Sequence, residues 1–238
     1  TGQKYLFLQN SKRTGEHNLM KIALINGSPK TNRSASGTLL ADLQKYITGI
    51  NTAPESLKPE IAEYSCNIPA ISDKIIVELQ NTAVLVFACP LYVDGIPAHL
   101  LSCLMQLESA DWKNHSIHVH GIVNCGFYEG IQAEPALCVL QNWCAKTGLI
   151  WGGGIGVGGG GALMQMPTME NGHGPKAPVE KALRAMADTI CAHGTQENQY
   201  VSIAFPRFLY RMAAQMGWRQ MVKANGGKTK DLGRQNGG

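Results

Sequence analysis

The sequence predicts an α/β protein, a three-layer, doubly wound parallel sheet of five strands with helices on both faces. Two observations carry this. Short runs that are apolar at nearly every position alternate with longer stretches of helical periodicity. Strands apolar on both faces belong to parallel sheets covered on both sides, not to sheets wet on one side.

The elements follow in order. Met20 opens a new kind of sequence, so residues 1–19 read as an extension. KIALIN (21–26) is a buried strand, followed by the loop GSPKTNRSAS and a helix, GTLLADLQKYITG (37–49). LKPEIAEYS (57–65) serves as a second strand, and ISDKIIVELQNT (71–82) is helical with Ile71, Ile75, Ile76 and Leu79 on one face. AVLVFA (83–88) is a fully apolar third strand. IPAHLLSCLMQLES (96–109) is a helix with Pro97 suited to its first turn. IHVHGIVNC (117–125) is the fourth strand, and AEPALCVLQNWCAKTG (133–148) a helix closed by glycine. LIWGGGIGVG (149–158) and PVEKALRAMADTICAHG (178–194) complete a fifth β/α unit. The sheet domain therefore spans 20–198. Residues 199–238 form a basic amphipathic C-terminal extension with a helix over FPRFLYRMAAQMGWRQMVK.

Composition bounds the class. Of 238 residues 44% are hydrophobic and 16% charged, which suits a globular core. The longest nearly apolar run, Ala83 to Val93, is too short to cross a bilayer, which needs roughly 20 residues, and no signal peptide is expected. The seven cysteines are odd in number, lack C-x-x-C spacing and sit mostly in apolar runs. No disulfide framework or metal site is expected, and the compartment reads as reducing and cytoplasmic. Residues 1–199 hold 14 Lys/Arg and 16 Asp/Glu, whereas 200–238 hold 7 and 1. The body is nearly neutral and the tail basic. No nucleic-acid partner is expected.

Two glycine-bearing stretches compete for a nucleotide. Gly156, Gly158 and Gly161 match G-x-G-x-x-G, but ALMQMPTMENGHGPKAP, which follows, is loop chemistry where a dinucleotide fingerprint needs a helix start. This run reads as a strand and loop with little side-chain bulk, allowing close backbone approach. NGSPKTNRSAS lies in the right place, after the first strand and before the first helix. It lacks G-K-[ST], which excludes a triphosphate with magnesium. Ser28, Ser34, Ser36, Asn32, Lys30, Arg33 and a helix N-terminus suit a single terminal phosphate; the plainer alternative is a serine-capped loop.

Two more segments point to the same end of the sheet. CPLYVDGIPAHL (89–100) leaves the third strand. With strand order 2-1-3-4-5 the ligand crevice lies between strands one and three, where Pro90, Leu91, Tyr92 and Val93 emerge. A flat aromatic ligand can rest on Tyr92 and the backbone beside it. NCGFYEG (124–130) follows the fourth strand, with Gly126 permitting close approach. Cys125 has no paired base and reads as structural. His99 reads as a satisfied structural histidine. His118 and His120 alternate along a strand, with at least one expected at the surface.

Together MKIALINGSPKTNRSAS, FACPLYVDGIPAHL and GIVNCGF resemble the NAD(P)H-dependent FMN reductases, the flavodoxin-like oxidoreductases, over residues 20 to about 195. The resemblance implies that Ser28, Lys30, Ser34, Ala35 and Ser36 hold the FMN phosphate. It implies that Pro90, Leu91, Tyr92, Val93, Asn124, Gly126 and Phe127 hold the isoalloxazine ring. The flavin would carry the chemistry, so no catalytic side chain is expected. Nicotinamide hydride would reach a quinone, free flavin, nitro or azo compound, or metal ion; an electron carrier without turnover is the alternative. A homodimer is implied. Many family members read S-N-T where this chain has Ser34-Ala35-Ser36, and the basic tail is no part of the family core. Three uses are open to that tail: packing on its own domain, joining a subunit interface, or weak contact with an anionic membrane surface.

Overall fold

The structure, a computed structural model, describes residues 19–50, 58–163 and 173–230. The expected extension before Leu19 and much of the loop after the glycine run lie outside the described residues. The chain divides into two units, residues 1–203 and 204–238.

The first unit is a parallel sheet of β1 (Lys21–Asn26), β2 (Glu60–Ser65), β3 (Val84–Pro90), β4 (His118–Asn124), β5 (Ile150–Val157) and β6 (Gln199–Val201), in the order β2-β1-β3-β4-β5-β6. The expected order is present with one strand added. The added strand lies within the first unit, which ends at Ile203. Three residues without alternation are too short a signal to read, yet Gln199, Tyr200 and Val201 pair with Ile155, Gly156 and Val157.

The helices are α1 (Ala35–Ile50), α2 (Asp73–Gln80), α3 (Ala98–Glu108), α4 (Glu134–Thr147), the single turn α5 (Gly160–Leu163) and α6 (Ala177–Cys191). Gly148, at φ 72, closes α4 in the left-handed conformation that glycine adopts without penalty. Strand parity divides the core. Ala23 and Ile25 of β1 and Leu85, Phe87 and Cys89 of β3 join one cluster with Leu79, Leu100, Leu104, Trp143 and Trp112. Ile22, Leu24, Val84, Val86 and Ala88 point the other way, toward the face where α1 and α6 pack side by side. Both β3 and β4 are buried along nearly their whole length, as the apolar runs required.

The glycine run forms β5 and the turn after it. A Cβ at Gly154 would lie 2.6 Å from Leu137 of α4, one at Gly156 2.6 Å from the Gly130 carbonyl, and one at Gly158 would strike the Tyr128 carbonyl. The missing side chains let the preceding loop and α4 sit against the strand, as read from the sequence.

The expectation for the histidines fails. His118 and His120 are both buried. Residues two apart on a strand share a face, and this face is covered. At Val119/His120 the ladder shifts by one residue, leaving Gly152 as the extra residue of a bulge. A Cβ there would collide with the His120 ring, so glycine makes the room that the imidazole fills. The His118 ring meets that of His193 edge-on at 4.2 Å. Burial, with the neighbouring His118, pushes the pKa of His120 down to about 4.

The second unit contains α7 (Arg207–Ala224), none of whose residues is buried. Helix geometry sets Arg219 and Lys223 on the side of Phe208 and Met212. Each lies eleven residues after Phe208 or Met212, close to three full turns, and so returns to the same side. No helix among the described residues is long and apolar enough to cross a membrane.

Two predictions follow from this packing. Gly158→Ala is expected to destabilise by at least about 2 kcal/mol through overpacking. Gly161, with nothing within 4 Å of a Cβ, should accept alanine with no loss; urea unfolding of both variants checks the pair, and equal losses would reject the account. His120 is held neutral when folded but titrates near 6.5 when unfolded. Between those values the unfolded chain takes up a proton that the folded chain refuses. Stability is therefore flat above about pH 6.5 and falls toward pH 4, by about 3 kcal/mol from this group. His118 and His193, also shifted down by burial, act in the same direction. His120→Gln should flatten the fall in unfolding free energy between pH 7 and 5; an unchanged slope would refute the assignment.

Candidate functional site

The carboxyl ends of β1, β3 and β4 converge where strand order reverses. The Gly27 N–H donates to the Ala88 carbonyl at 2.8 Å, and the Leu91 N–H to the Asn124 carbonyl at 2.8 Å, so three loops leave the sheet already tied together. The place is the one expected for a ligand in an open doubly wound sheet.

The first loop runs from Gly27 to Ser34. Asn26 accepts the Ser28 N–H on its Oδ1 at 3.0 Å, and the Ser28 Oγ accepts the Lys30 N–H at 3.3 Å. Ser34 caps α1, its Oγ accepting the Gly37 N–H at 3.1 Å. In both serines the oxygen is engaged as an acceptor, leaving the hydroxyl proton for an anion. The N–H groups of Ala35 and Ser36, in the first turn of α1, have no partner within the helix. Lys30 and Arg33 are exposed on the same loop. Hydroxyl donors, helix-end amides and two cations on one short loop fit a monophosphate.

Ser36 is placed differently from the expectation. Its hydroxyl is buried and donates to Asn124 Oδ1 at 2.8 Å, joining α1 to the end of β4. It approaches an anion through its backbone N–H alone. The Asn124 side chain thus ties the two loops, and its carbonyl is taken by the Leu91 N–H.

The second loop is a tight reverse turn. The Tyr92 N–H donates to the Gly95 carbonyl at 2.9 Å and the Gly95 N–H to the Tyr92 carbonyl at 3.1 Å. Val93 and Asp94 both have positive φ, 48 and 59. A β-branched residue is strained there, and such strain collects at binding sites. Val93 is fully exposed and Tyr92 about half exposed (47%). In the third loop Phe127 is exposed too, while a Cβ on Gly126 would meet nothing within 4 Å. Pro90 and Leu91 are partly buried. The result is an exposed apolar ledge beside an anion cradle.

Cys125 is enclosed by its own loop. Its buried thiol faces the carbonyls of Phe127 and Glu129 at 3.7 and 3.6 Å, and burial pushes its pKa up. The Gly159 and Gly160 N–H groups donate to the carbonyls of Phe127 and Cys125 at 2.6 and 2.7 Å. The glycine turn thus props the third loop from behind. His99 Nε2 bonds the Gly27 carbonyl at 3.1 Å, as a structural histidine does. All seven cysteines are free, and no group of metal-ligating side chains occurs among the described residues.

The sequence reading missed Asn26, Gly37 and the side-chain role of Asn124. A Cβ on Gly37 would press within 3.1 Å of the Asn26 amide, so the Asn26-Gly27 and Gly37 positions form one packing unit. The signal was an asparagine closing a first strand that is apolar from Ile22 to Ile25. A cavity of about 1060 Å³ lies at the opposite end of the sheet, lined by Lys21, Glu60, Ala83, Ser116 and His193. Helix C-termini point to that end, which disfavours an anion.

No protein-family model matches the chain, and no curated protein matches it. Solved structures do. An azoreductase from Bacillus anthracis superposes with a TM-score of 0.51 at 14% identity, covering 74% of this chain and 99% of that one. An FMN-dependent NADH-azoreductase of the same species, in complex with FMN, gives 0.51 at 13%, over 72% and 99%. A flavodoxin from Streptococcus pneumonia gives 0.51 at 9%, over 72% and 98%. The fold is flavodoxin-like.

The Ser36–Asn124 bond is testable by a double-mutant cycle. Ser36→Ala strands a buried acceptor and should cost about 1–3 kcal/mol. Asn124→Ala should cost a similar amount, and the double variant less than the two together. Additive losses in urea unfolding would show that the bond is not a coupling.

Proposed function

We propose that the protein is an FMN-dependent oxidoreductase that draws electrons from NADH or NADPH and delivers them to a small acceptor: a quinone, a free flavin, a nitro or azo compound, or a metal ion. The observation that carries the reading is the pairing of a monophosphate cradle with an exposed apolar ledge at the β1/β3 crevice. The FMN-bound azoreductase that shares the fold supports it.

Ser28 and Ser34 would donate hydroxyl protons to the phosphate, joined by the Ala35 and Ser36 N–H groups and the charge of Lys30 and Arg33. Tyr92 and Phe127 would flank the ring, with Pro90, Leu91 and Val93 along its edge and Gly126 leaving room for close approach. The open ledge leaves one side for a second substrate. Bound there, the flavin supplies the hydride and one-electron chemistry, so the chain needs no acid–base pair of its own. The net basic charge and the added helix favour an enzyme over the carrier reading. The free, mostly buried cysteines support a cytoplasmic setting. The reading includes a homodimer.

The purified protein should show an oxidised-flavin spectrum, directly or after adding FMN, and should oxidise NADPH when a quinone is supplied. Flavin binding without turnover would favour the carrier. Ser28→Ala with Ser34→Ala should weaken FMN binding by about 1–3 kcal/mol and leave riboflavin, which lacks the phosphate, unaffected. Equal losses for both ligands would move the phosphate elsewhere.

A further inference from the structure

The flavin reading makes no use of α7. One line along this helix reads Phe208, Met212, Met216, Arg219 and Lys223, because steps of four, four, three and four residues keep all five within one narrow sector. The line is apolar in its first half and cationic in its second. Phe208 is 71% exposed, with Met212 and Met216 each more than half exposed. Trp218, 60% exposed, lies about 120° around the helix from the centre of the line. The helix carries no Asp or Glu, and residues 200–238 hold 7 Lys/Arg against 1 Asp/Glu.

We propose that α7 docks on an anionic membrane surface. The arrangement suits a helix lying at a shallow tilt. Phe208, Met212 and Met216 reach the acyl boundary, and Arg219 and Lys223 meet headgroup phosphates. Helices with a basic stretch and an apolar stripe lie in this interfacial plane. A second copy of the helix fits worse in either direction. Parallel pairing along this line brings cation against cation, and antiparallel pairing sets cations on apolar groups. The inference is independent of the flavin site, and its test needs no flavin.

The full chain is sedimented with vesicles of phosphatidylcholine, alone or mixed with phosphatidylglycerol, over a series of NaCl concentrations. Binding should require the anionic lipid and weaken with salt. Arg219→Gln with Lys223→Gln should lower the partition coefficient by roughly 30-fold. Phe208→Ser with Met212→Ser should abolish binding. Circular dichroism monitors the fold, and the glutamine pair, which keeps helix propensity, carries the test if the serine pair unwinds the helix. Equal retention on both vesicle types, or none on either, would overturn the proposal. So would a concentration-dependent rise in mass that the serine pair loses, since that assigns the line to a second copy.

Discussion

Both faces of the parallel sheet are covered, and the placement of every polar group answers to that constraint. A strand buried on two sides has no room for polar side chains except at its ends. The carboxyl ends receive helix N-termini, with their outward N–H groups and positive dipole, so an anion belongs there. β4 shows the rule and its exception on one face. At its carboxyl end Asn124 is buried and satisfied by Ser36. At its amino end His118 and His120 are buried, and neither ring nitrogen of His120 finds a partner of good geometry.

Glycine resolves the crowding that follows. β5 sits between β4 and the short β6, and its lack of side chains brings the 130–133 turn and α4 close on one side and admits the His120 ring on the other. The resemblance to a nucleotide fingerprint is a by-product of packing. Its contribution to the site is indirect, through the bonds that Gly159 and Gly160 make to the loop carrying Phe127.

The sequence made the main elements legible because fully apolar strands and periodic helices are strong local signals. Five strands, their order and the longer helices between them could be read from it; the helical turn Gly160–Leu163 falls in a stretch that reads as loop. Gln199–Val201 could not, since three residues have no pattern and their pairing is decided by β5. The site loops were legible as places: the stretch after β1, the Pro90–Val93 exit and the Asn124–Phe127 loop meet as expected. The partners of individual side chains were not. Ser36 looked like Ser28 and Ser34, and only its burial against a strand far along the chain shows that its hydroxyl is engaged. The histidines were misjudged because a bulge and a glycine on the neighbouring strand, not β4 itself, set the space they occupy.

The Ser36–Asn124 bond joins residues 88 positions apart, and this ties the site to the order in which the chain organises itself. Parallel neighbours are joined only through long crossover connections, so β1, β3 and β4 come together by closing long loops, the slow part of building such topologies. Until the last of these closures the two halves of the crevice belong to separate pieces of chain. A molecule that needs both halves has nothing to bind in a partly folded chain. By mass action it therefore favours the finished state alone. Occupancy of the crevice would register completed folding, and without it a larger share of chains would populate incomplete forms at equilibrium.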